Sequence, residues 1–264
     1  MRQKPREASY NAPQGAEAVV ARLPAGVMGV LAFSVLGWAF LAWLVVDMDH
    51  PLAQLTMPAS SSWSAENALA VWFMWAVMMA AMMLPSALPM VLTFSKIGKD
   101  REGLARGRSF VTAYLLVWFA FSVGASAAQW VLQAMDWVNP MIVSTSSWLT
   151  AALLLIAGAY QFSPLKQVCL SRCRTPMGFL LGEWRPGVYG AFVMGVRHGL
   201  FCLGCCWALM ALLFVGGVMN LAWVAALSVA VAIEKLAPHG ERLASVLGLG
   251  LIAAGVLRLL AMVV

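Results

Sequence analysis

The chain has 264 residues, of which 62% are hydrophobic and only 11% are charged, and its formal net charge is +6. Soluble domains are about half apolar and about a quarter charged, so this composition excludes an ordinary soluble protein and predicts an integral membrane protein. The basic excess does not predict nucleic-acid binding, because the sequence contains no long basic run with interleaved aromatic residues.

Hydropathy divides the chain into a polar start and a long apolar remainder. Residues 1–23 predict a disordered cytoplasmic tail, and residues 24–264 predict a single transmembrane helical domain. A helix needs about 20 apolar residues to cross a bilayer. The sequence therefore predicts an all-α, polytopic transmembrane helix bundle of about seven spans. The predicted spans cover residues 25–46, 67–94, 109–134, 144–163, 188–216, 219–235 and 243–263.

Outside the predicted spans, basic residues are confined to the N-terminal tail and to alternate connections. They occur at 96–108, 166–185 and 235–242, whereas the other connections contain no Lys or Arg. Cytoplasmic loops carry the excess of Lys and Arg in membrane proteins. The pattern predicts a cytoplasmic N-terminus.

The second predicted span is rich in methionine. Met78 and Met82 are spaced i, i+4 on a helix, as are Met79 and Met83, so their thioethers form two neighbouring rows. Thioether sulfur is a soft ligand that suits Cu(I), although methionine also serves as a pliable apolar filler. At about 1.5 Å per residue these sulfurs lie near the middle of the bilayer.

The connection between the fourth and fifth predicted spans contains a C-x3-C pair, Cys169 and Cys173. On a helical turn the two side chains share one face, and Arg172 and Arg174 favour the thiolate form. Two interpretations stay open: a secondary metal site where ions are loaded or unloaded, or a redox pair.

The fifth predicted span contains the densest group of soft ligands. His198, Cys202, Cys205 and Cys206 have the spacing of one helical face. Free cysteine also packs as a small hydrophobe, but ionisable groups inside a membrane are costly and usually face an interior site. This span also falls near mid-bilayer, so we expect its ligands to meet the methionines.

The backbone of this fifth span is left undecided by the sequence. The run 188–216 is long for one crossing and contains Gly195, Gly199 and Gly204. It predicts either one tilted helix or a broken one. Further along, Glu234 and Lys235 are interpreted as an interfacial helix end.

Several long motifs of the chain are found in a known family. The stretches MMAAMMLPSALPM, GAYQFSPLKQVCLSRCRTPMGF and MGVRHGLFCLGCCWALMALLFVGGVMNLAWVAAL, followed by EKLAPHG, occur in this order. Over roughly residues 65–255 the chain resembles the DUF2182 family, which is described as predicted metal-binding integral membrane proteins of bacteria. The resemblance implies metal binding and carries over Met78, Met79, Met82, Met83, Cys169, Cys173, His198, Cys202, Cys205 and Cys206.

The functional prediction is a bacterial inner-membrane protein that binds a soft transition metal within its helix bundle and acts in metal handling or transport. Copper is the expected ion, and zinc is the other ion that such ligands suit. His198 and the cysteines 202, 205 and 206 are the expected direct ligands, with the four methionines as secondary ligands or a relay.

The expected partners are the lipid bilayer and a metallochaperone or membrane partner subunit, with no nucleic acid. The sequence does not decide whether the protein is an enzyme. Two alternatives stay open: a membrane thiol-disulfide oxidoreductase that uses the cysteine cluster, and a structural membrane subunit whose cysteines only pack.

Overall fold

The computed structural model describes residues 25–59, 62–97 and 101–262. This part of the chain is helical and contains no strand, only an isolated bridge between Val138 and Ser144. The predicted tail over 1–23 lies outside it. The helices are α1 (Ala25–Val46), α2 (Pro51–Thr56), α3 (Ala65–Ile97), α4 (Arg101–Ala134), α5 (Ser147–Tyr160), α6 (Pro164–Arg174), α7 (Pro176–Glu183), α8 (Gly187–Ala211), α9 (Leu213–Gly216), α10 (Leu221–Leu236) and α11 (Gly240–Leu260).

Most of these helices have the length and composition of membrane spans. Within the described residues, five segments are long and apolar enough to cross a membrane, or six if α5 and α6, bent by 63° at their junction, form one span. These segments are α1, α3, α4, α8 with α9, and α11. The predicted polytopic helix bundle is confirmed.

Two of the seven predicted spans are short in the structure: α5, which has 14 residues and reaches span length only together with α6, and α10. Helix α10 has 16 residues, which at 1.5 Å per residue make about 24 Å, less than the hydrocarbon thickness of about 30 Å. By length and composition the described residues thus support five or six crossings, with α10 as an additional helix packed against α3, α6 and α8.

The backbone of the fifth predicted span is continuous through its glycines. Helix α8 runs to Ala211 and breaks only near its end, at Leu212. The glycines instead allow neighbouring helices to approach: a Cβ on Gly199 would lie 2.9 Å from Val117, and one on Gly204 would lie 2.7 Å from Cys169 Sγ. The small residues on α8 therefore bring α4 and α6 against it.

Helix α3 also continues through its two prolines, Pro85 and Pro89. Proline removes a backbone donor from a helix, and nearby side chains supply hydrogen bonds to the carbonyls of this region. Ser86 Oγ donates to the Met83 carbonyl at 2.8 Å, and Thr93 Oγ1 donates to the Pro89 carbonyl at 2.7 Å. The methionine-rich part of α3 is thus an ordered helix in the core.

Candidate metal centre

Three thiols on α8 lie in the centre of the bundle. Cys202, Cys205 and Cys206 are all buried, because α8 packs against α4, α6 and α10 and Cys206 contacts Met83 of α3. The thiols of Cys205 and Cys206 both donate to the Cys202 carbonyl at 3.1 Å, which is the back-bonding expected one helical turn apart. The sulfurs are therefore held close to the α8 backbone.

Helix α3 adds a fourth sulfur to this group. The Cys206 thiol points at Met83 Sδ, with 3.9 Å between the two sulfur atoms. The soft ligands predicted on the second and fifth spans thus meet at Met83.

The other three predicted methionines lie in the same hydrophobic core. Met78, Met79 and Met82 are at most 2% exposed. Within the described residues, a sulfur contact with a thiol is found for Met83 and not for these three. These three methionines therefore pack as residues of the hydrophobic core.

Lys235, at the end of α10, reaches into the sulfur group. Its Nζ donates to Cys202 Sγ at 2.9 Å and lies 3.8 Å from Met83 Sδ. It also contacts Ser86 Oγ at 3.3 Å. The side chain is only 6% exposed, so Lys235 points into the bundle from the last turn of α10.

Tyr114 on α4 also contacts the sulfur group. Its hydroxyl lies 3.0 Å from Cys202 Sγ and 3.2 Å from the Met83 carbonyl. Since the ring is fully buried, the hydroxyl bridges α8 and α3 inside the core. Cys202 therefore has two polar neighbours, the ammonium of Lys235 and the phenol of Tyr114.

His198 lies one turn before Cys202 in an aromatic pocket. Its ring centroid is 5.3 Å from that of Phe179, 5.7 Å from Phe110 and 5.8 Å from Tyr114. Its Nδ1 is buried and has no hydrogen-bond partner in the described structure. The imidazole is near enough to Cys202 to interact with it electrostatically. A buried polar atom without a partner is unusual in a protein and leaves this nitrogen available to a ligand.

The C-x3-C pair is helical and packs against α8. Cys169 is 7% exposed within α6, and Cys173, one turn later, is half-buried. The Cys173 thiol interacts with those of Cys202 and Cys205, and the Cys206 thiol interacts with the same two. Because Gly204 has no side chain, α6 approaches closely enough for these contacts.

A separate buried ion pair lies beside the sulfur group. Lys166 Nζ and Glu234 Oε2 are 2.6 Å apart, and Gln161 Nε2 donates to the other carboxylate oxygen at 3.1 Å. Glu234 therefore pairs with α6 rather than with Lys235, which is its neighbour in sequence. Adjacent residues on α10 thus serve two different clusters.

As to a metal, the part of the chain that the structure describes contains no group of three or more His, Cys, Asp or Glu side chains placed to hold an ion together. The predicted four-residue set does not converge on one point. The described contacts bring together sulfur from two helices: the Cys206 thiol points at Met83 Sδ, and Lys235 Nζ contacts both Cys202 Sγ and Met83 Sδ. Thiolate and thioether are the ligands that select Cu(I).

Comparison with known proteins supplies independent information about this chemistry. Residues 72–258 match the family described as PpoB2, copper chaperone. The chain belongs to this family. Comparison with curated proteins and with solved structures finds no match. The copper chaperone family fits the copper expected from the sequence and the soft donor set of the core.

Two residues of the centre were missed by sequence reasoning, Lys235 and Tyr114. A lysine at the end of an apolar helix is read as an interfacial residue, since long basic side chains extend toward water. The signal that could have found it is the general rule that ionisable residues near membrane depth face an interior partner. Tyr114 carries no such signal, because a tyrosine in an apolar helix is ordinary.

Proposed function

We propose that this chain is a membrane copper chaperone that holds Cu(I) as cargo inside its helix bundle. Cys202 and Cys206 on α8 and Met83 on α3 bind the ion. The observation that carries the proposal is the approach of Met83 Sδ to the Cys206 thiol, 3.9 Å apart, in a chain of the copper chaperone family.

The donor set favours Cu(I) over Zn(II). Zinc sites in proteins are tetrahedral and take nitrogen, sulfur or oxygen ligands, whereas soft thiolate and thioether ligands select Cu(I). Cys202 also contacts the phenol of Tyr114 and the ammonium of Lys235, and the ammonium cannot bind a metal while it is protonated. His198 is held in the proposal as an additional ligand through its unpartnered nitrogen.

Cys173 has the position of a transfer residue. It is more exposed than the three cysteines of α8 and interacts with two of them. A soft metal ion can move between neighbouring thiolates. An ion captured by Cys173 therefore passes to Cys202 or Cys205 and stays bound to sulfur throughout. Cys169, buried behind it, supports this helix face. Loading or unloading at this end is the role proposed for the pair.

The proposed location is a bacterial inner membrane with a cytoplasmic N-terminus. Its support is the set of apolar helices of membrane length, the alternation of basic connections and the resemblance to the bacterial DUF2182 family. The proposed partner is a metallochaperone or a membrane subunit that gives or receives copper at the Cys173 end.

A thiol-disulfide oxidoreductase is the second candidate, because the thiols of Cys173, Cys202, Cys205 and Cys206 interact with one another. All five cysteines are free in the described structure. A redox protein would cycle between dithiol and disulfide forms of these residues, whereas a copper chaperone binds the ion with its cysteines reduced.

Copper loading of the purified protein tests the proposal. The detergent-purified protein is incubated with Cu(I) under reducing conditions, desalted, and measured for metal content by mass spectrometry. We expect stoichiometric copper in the wild type and its loss in Cys202→Ser/Cys206→Ser. Met83→Leu is expected to weaken Cu(I) binding by about tenfold or more, since even indirect contacts to a metal contribute about 10–100-fold.

The matched control is Met90→Leu. Met90 is a buried methionine of α3 that packs in a separate hydrophobic cluster with Phe94 and Leu180, and Cys206 is not part of that cluster. It is expected to bind copper like the wild type. Wild-type protein that takes up no Cu(I), but forms a disulfide between Cys173 and Cys202 or Cys205 on mild oxidation, would contradict the chaperone and favour the oxidoreductase.

A further inference from the structure

The ammonium of Lys235 is a buried charge that has no carboxylate to balance it in the described residues. The only other buried Lys and Glu side chains there, Lys166 and Glu234, pair with each other. A buried ion is costly unless an opposite charge compensates it. The charge of Lys235 must therefore be balanced by the sulfur groups that it contacts.

The contacts of Lys235 are the proposed copper ligands themselves. Nζ lies 2.9 Å from Cys202 Sγ and 3.8 Å from Met83 Sδ. Ser86 Oγ, at 3.3 Å, fixes the ammonium from the side of α3. An ion held by Cys202, Cys206 and Met83 would have a positive charge as its immediate neighbour.

We infer that Lys235 makes the centre selective for monovalent soft cations, Cu(I) or its analogue Ag(I), against divalent ions such as Zn(II). The inference rests on the proposed function, since it assigns selectivity to the same site. The lysine acts through its fixed charge and is not a ligand.

The selectivity follows from the net charge of the two bound states. Thiolates, not thiols, bind metals, so two cysteines contribute two negative charges. With Lys235 protonated, the site is neutral when it holds Cu(I) and carries one positive charge when it holds Zn(II). Both metals enter the same free protein, so the difference lies in the bound states alone, and a net charge in a low-dielectric interior is disfavoured.

Removing the lysine charge inverts this balance. In Lys235→Leu the copper-bound site carries one negative charge, and the zinc-bound site becomes neutral. Leucine is apolar and fills much of the space of the lysine stem, and unlike methionine it adds no thioether ligand for the metal. Lys235→Arg retains the charge and serves as the matched control, since the guanidinium stays protonated in proteins.

The experiment measures dissociation constants for Cu(I) and Zn(II) separately, each by competition with a chelator of known affinity, on full-length protein in detergent. We expect the ratio of the Zn(II) to the Cu(I) constant to fall by about tenfold or more in Lys235→Leu, because the interaction with a unit charge at contact distance exceeds the free energy of a tenfold change. Lys235→Arg is expected to keep the wild-type ratio within about threefold.

A second pair of variants tests the same charge without touching the lysine. Ser86→Asp places a carboxylate beside Nζ, and Ser86→Asn is its neutral isostere. The Zn(II) to Cu(I) ratio is expected to be lower in the aspartate variant than in the asparagine variant. This pair of variants tests the inference if Lys235→Leu does not fold.

The two proposals fail in different ways. An unchanged ratio in Lys235→Leu, or equal ratios in Ser86→Asp and Ser86→Asn, overturns the role of Lys235 while copper binding through Cys202 and Cys206 still supports the chaperone. Wild-type protein that binds no Cu(I) overturns both.

Discussion

At the scale of single residues, Glu234 and Lys235 show how two adjacent side chains on one helix can serve separate purposes. Glu234 faces α6 and pairs with Lys166, whereas Lys235 faces α8 and contacts Cys202. Lys166 and Glu234 compensate each other's charge. We therefore expect this pair to affect the stability of the fold and not the binding of a metal. The second contact brings a charge to the proposed copper ligands.

The Lys166–Glu234 pair gives a stability prediction. Glu234→Gln leaves the buried Lys166 ammonium without its counter-charge, and we expect the free energy of unfolding to fall by about 3 kcal/mol or more. Denaturation in detergent, followed by tryptophan fluorescence, measures it. Adding Lys166→Met removes the stranded charge, so the double variant is expected to be more stable than Glu234→Gln alone. A double variant that loses the sum of both single effects would contradict a direct pair.

At the scale of elements, the position of α8 depends on small residues that face its neighbours. A Cβ on Gly195 would collide with the backbone carbonyl of Phe110 and would lie 2.8 Å from the Cβ of Ala113, both on α4. Backbone cannot move aside as a flexible side chain can. The close packing of α4 and α8, which brings Tyr114 to Cys202, therefore requires glycine at this point.

Gly195→Ala is accordingly expected to lower the free energy of unfolding by about 1–3 kcal/mol, as overpacking does in other cores. Its matched control is Gly124→Ala on α4, where a Cβ meets nothing within 4 Å. That change is expected to be neutral or to stabilise by up to about 1 kcal/mol, through helix propensity. Thermal denaturation of both variants in one detergent makes the comparison. Equal effects of the two substitutions on the free energy of unfolding would contradict a requirement for glycine where α4 and α8 meet.

The sequence predicts the elements of this fold better than their contacts. Apolar runs of about 20 residues identify the long helices, and the spacing of Cys202 and Cys206 places them on one face. The continuity of α8 through its glycines could not be predicted, because glycine marks both a break and a close contact. The role of Lys235 follows from the packing of α10 against α3 and α8. This packing could not be predicted from one sequence, because no spacing or motif indicates which helices are neighbours.

At the scale of the whole molecule, the charged connections predict which ends of the helices face the cytoplasm. Arg172 and Arg174 flank Cys173 in the last turn of α6, whereas Asp47 and Asp49 follow α1 and lie exposed at its end. By the positive-inside rule these two regions belong to opposite sides of the membrane. The transfer end of the proposed copper site would then face the cytoplasm.

Cysteine labelling in intact spheroplasts tests this orientation. In a variant without native cysteines, Asp49→Cys is expected to react with a membrane-impermeant maleimide. Ser171→Cys, at an exposed position of α6, is expected to react only after permeabilisation. The reverse pattern would place Cys173 outside the cytoplasm and require another route for copper.

The measurement that tests the central claim most directly is the X-ray absorption spectrum of the copper-loaded protein at the copper edge. The claim is that Cu(I) is bound among the sulfurs of Cys202, Cys206 and Met83. We predict the edge of Cu(I) and a first shell dominated by sulfur, whose scattering decreases in Met83→Leu and not in Met90→Leu. A first shell made only of nitrogen and oxygen, unchanged by Met83→Leu, would contradict it.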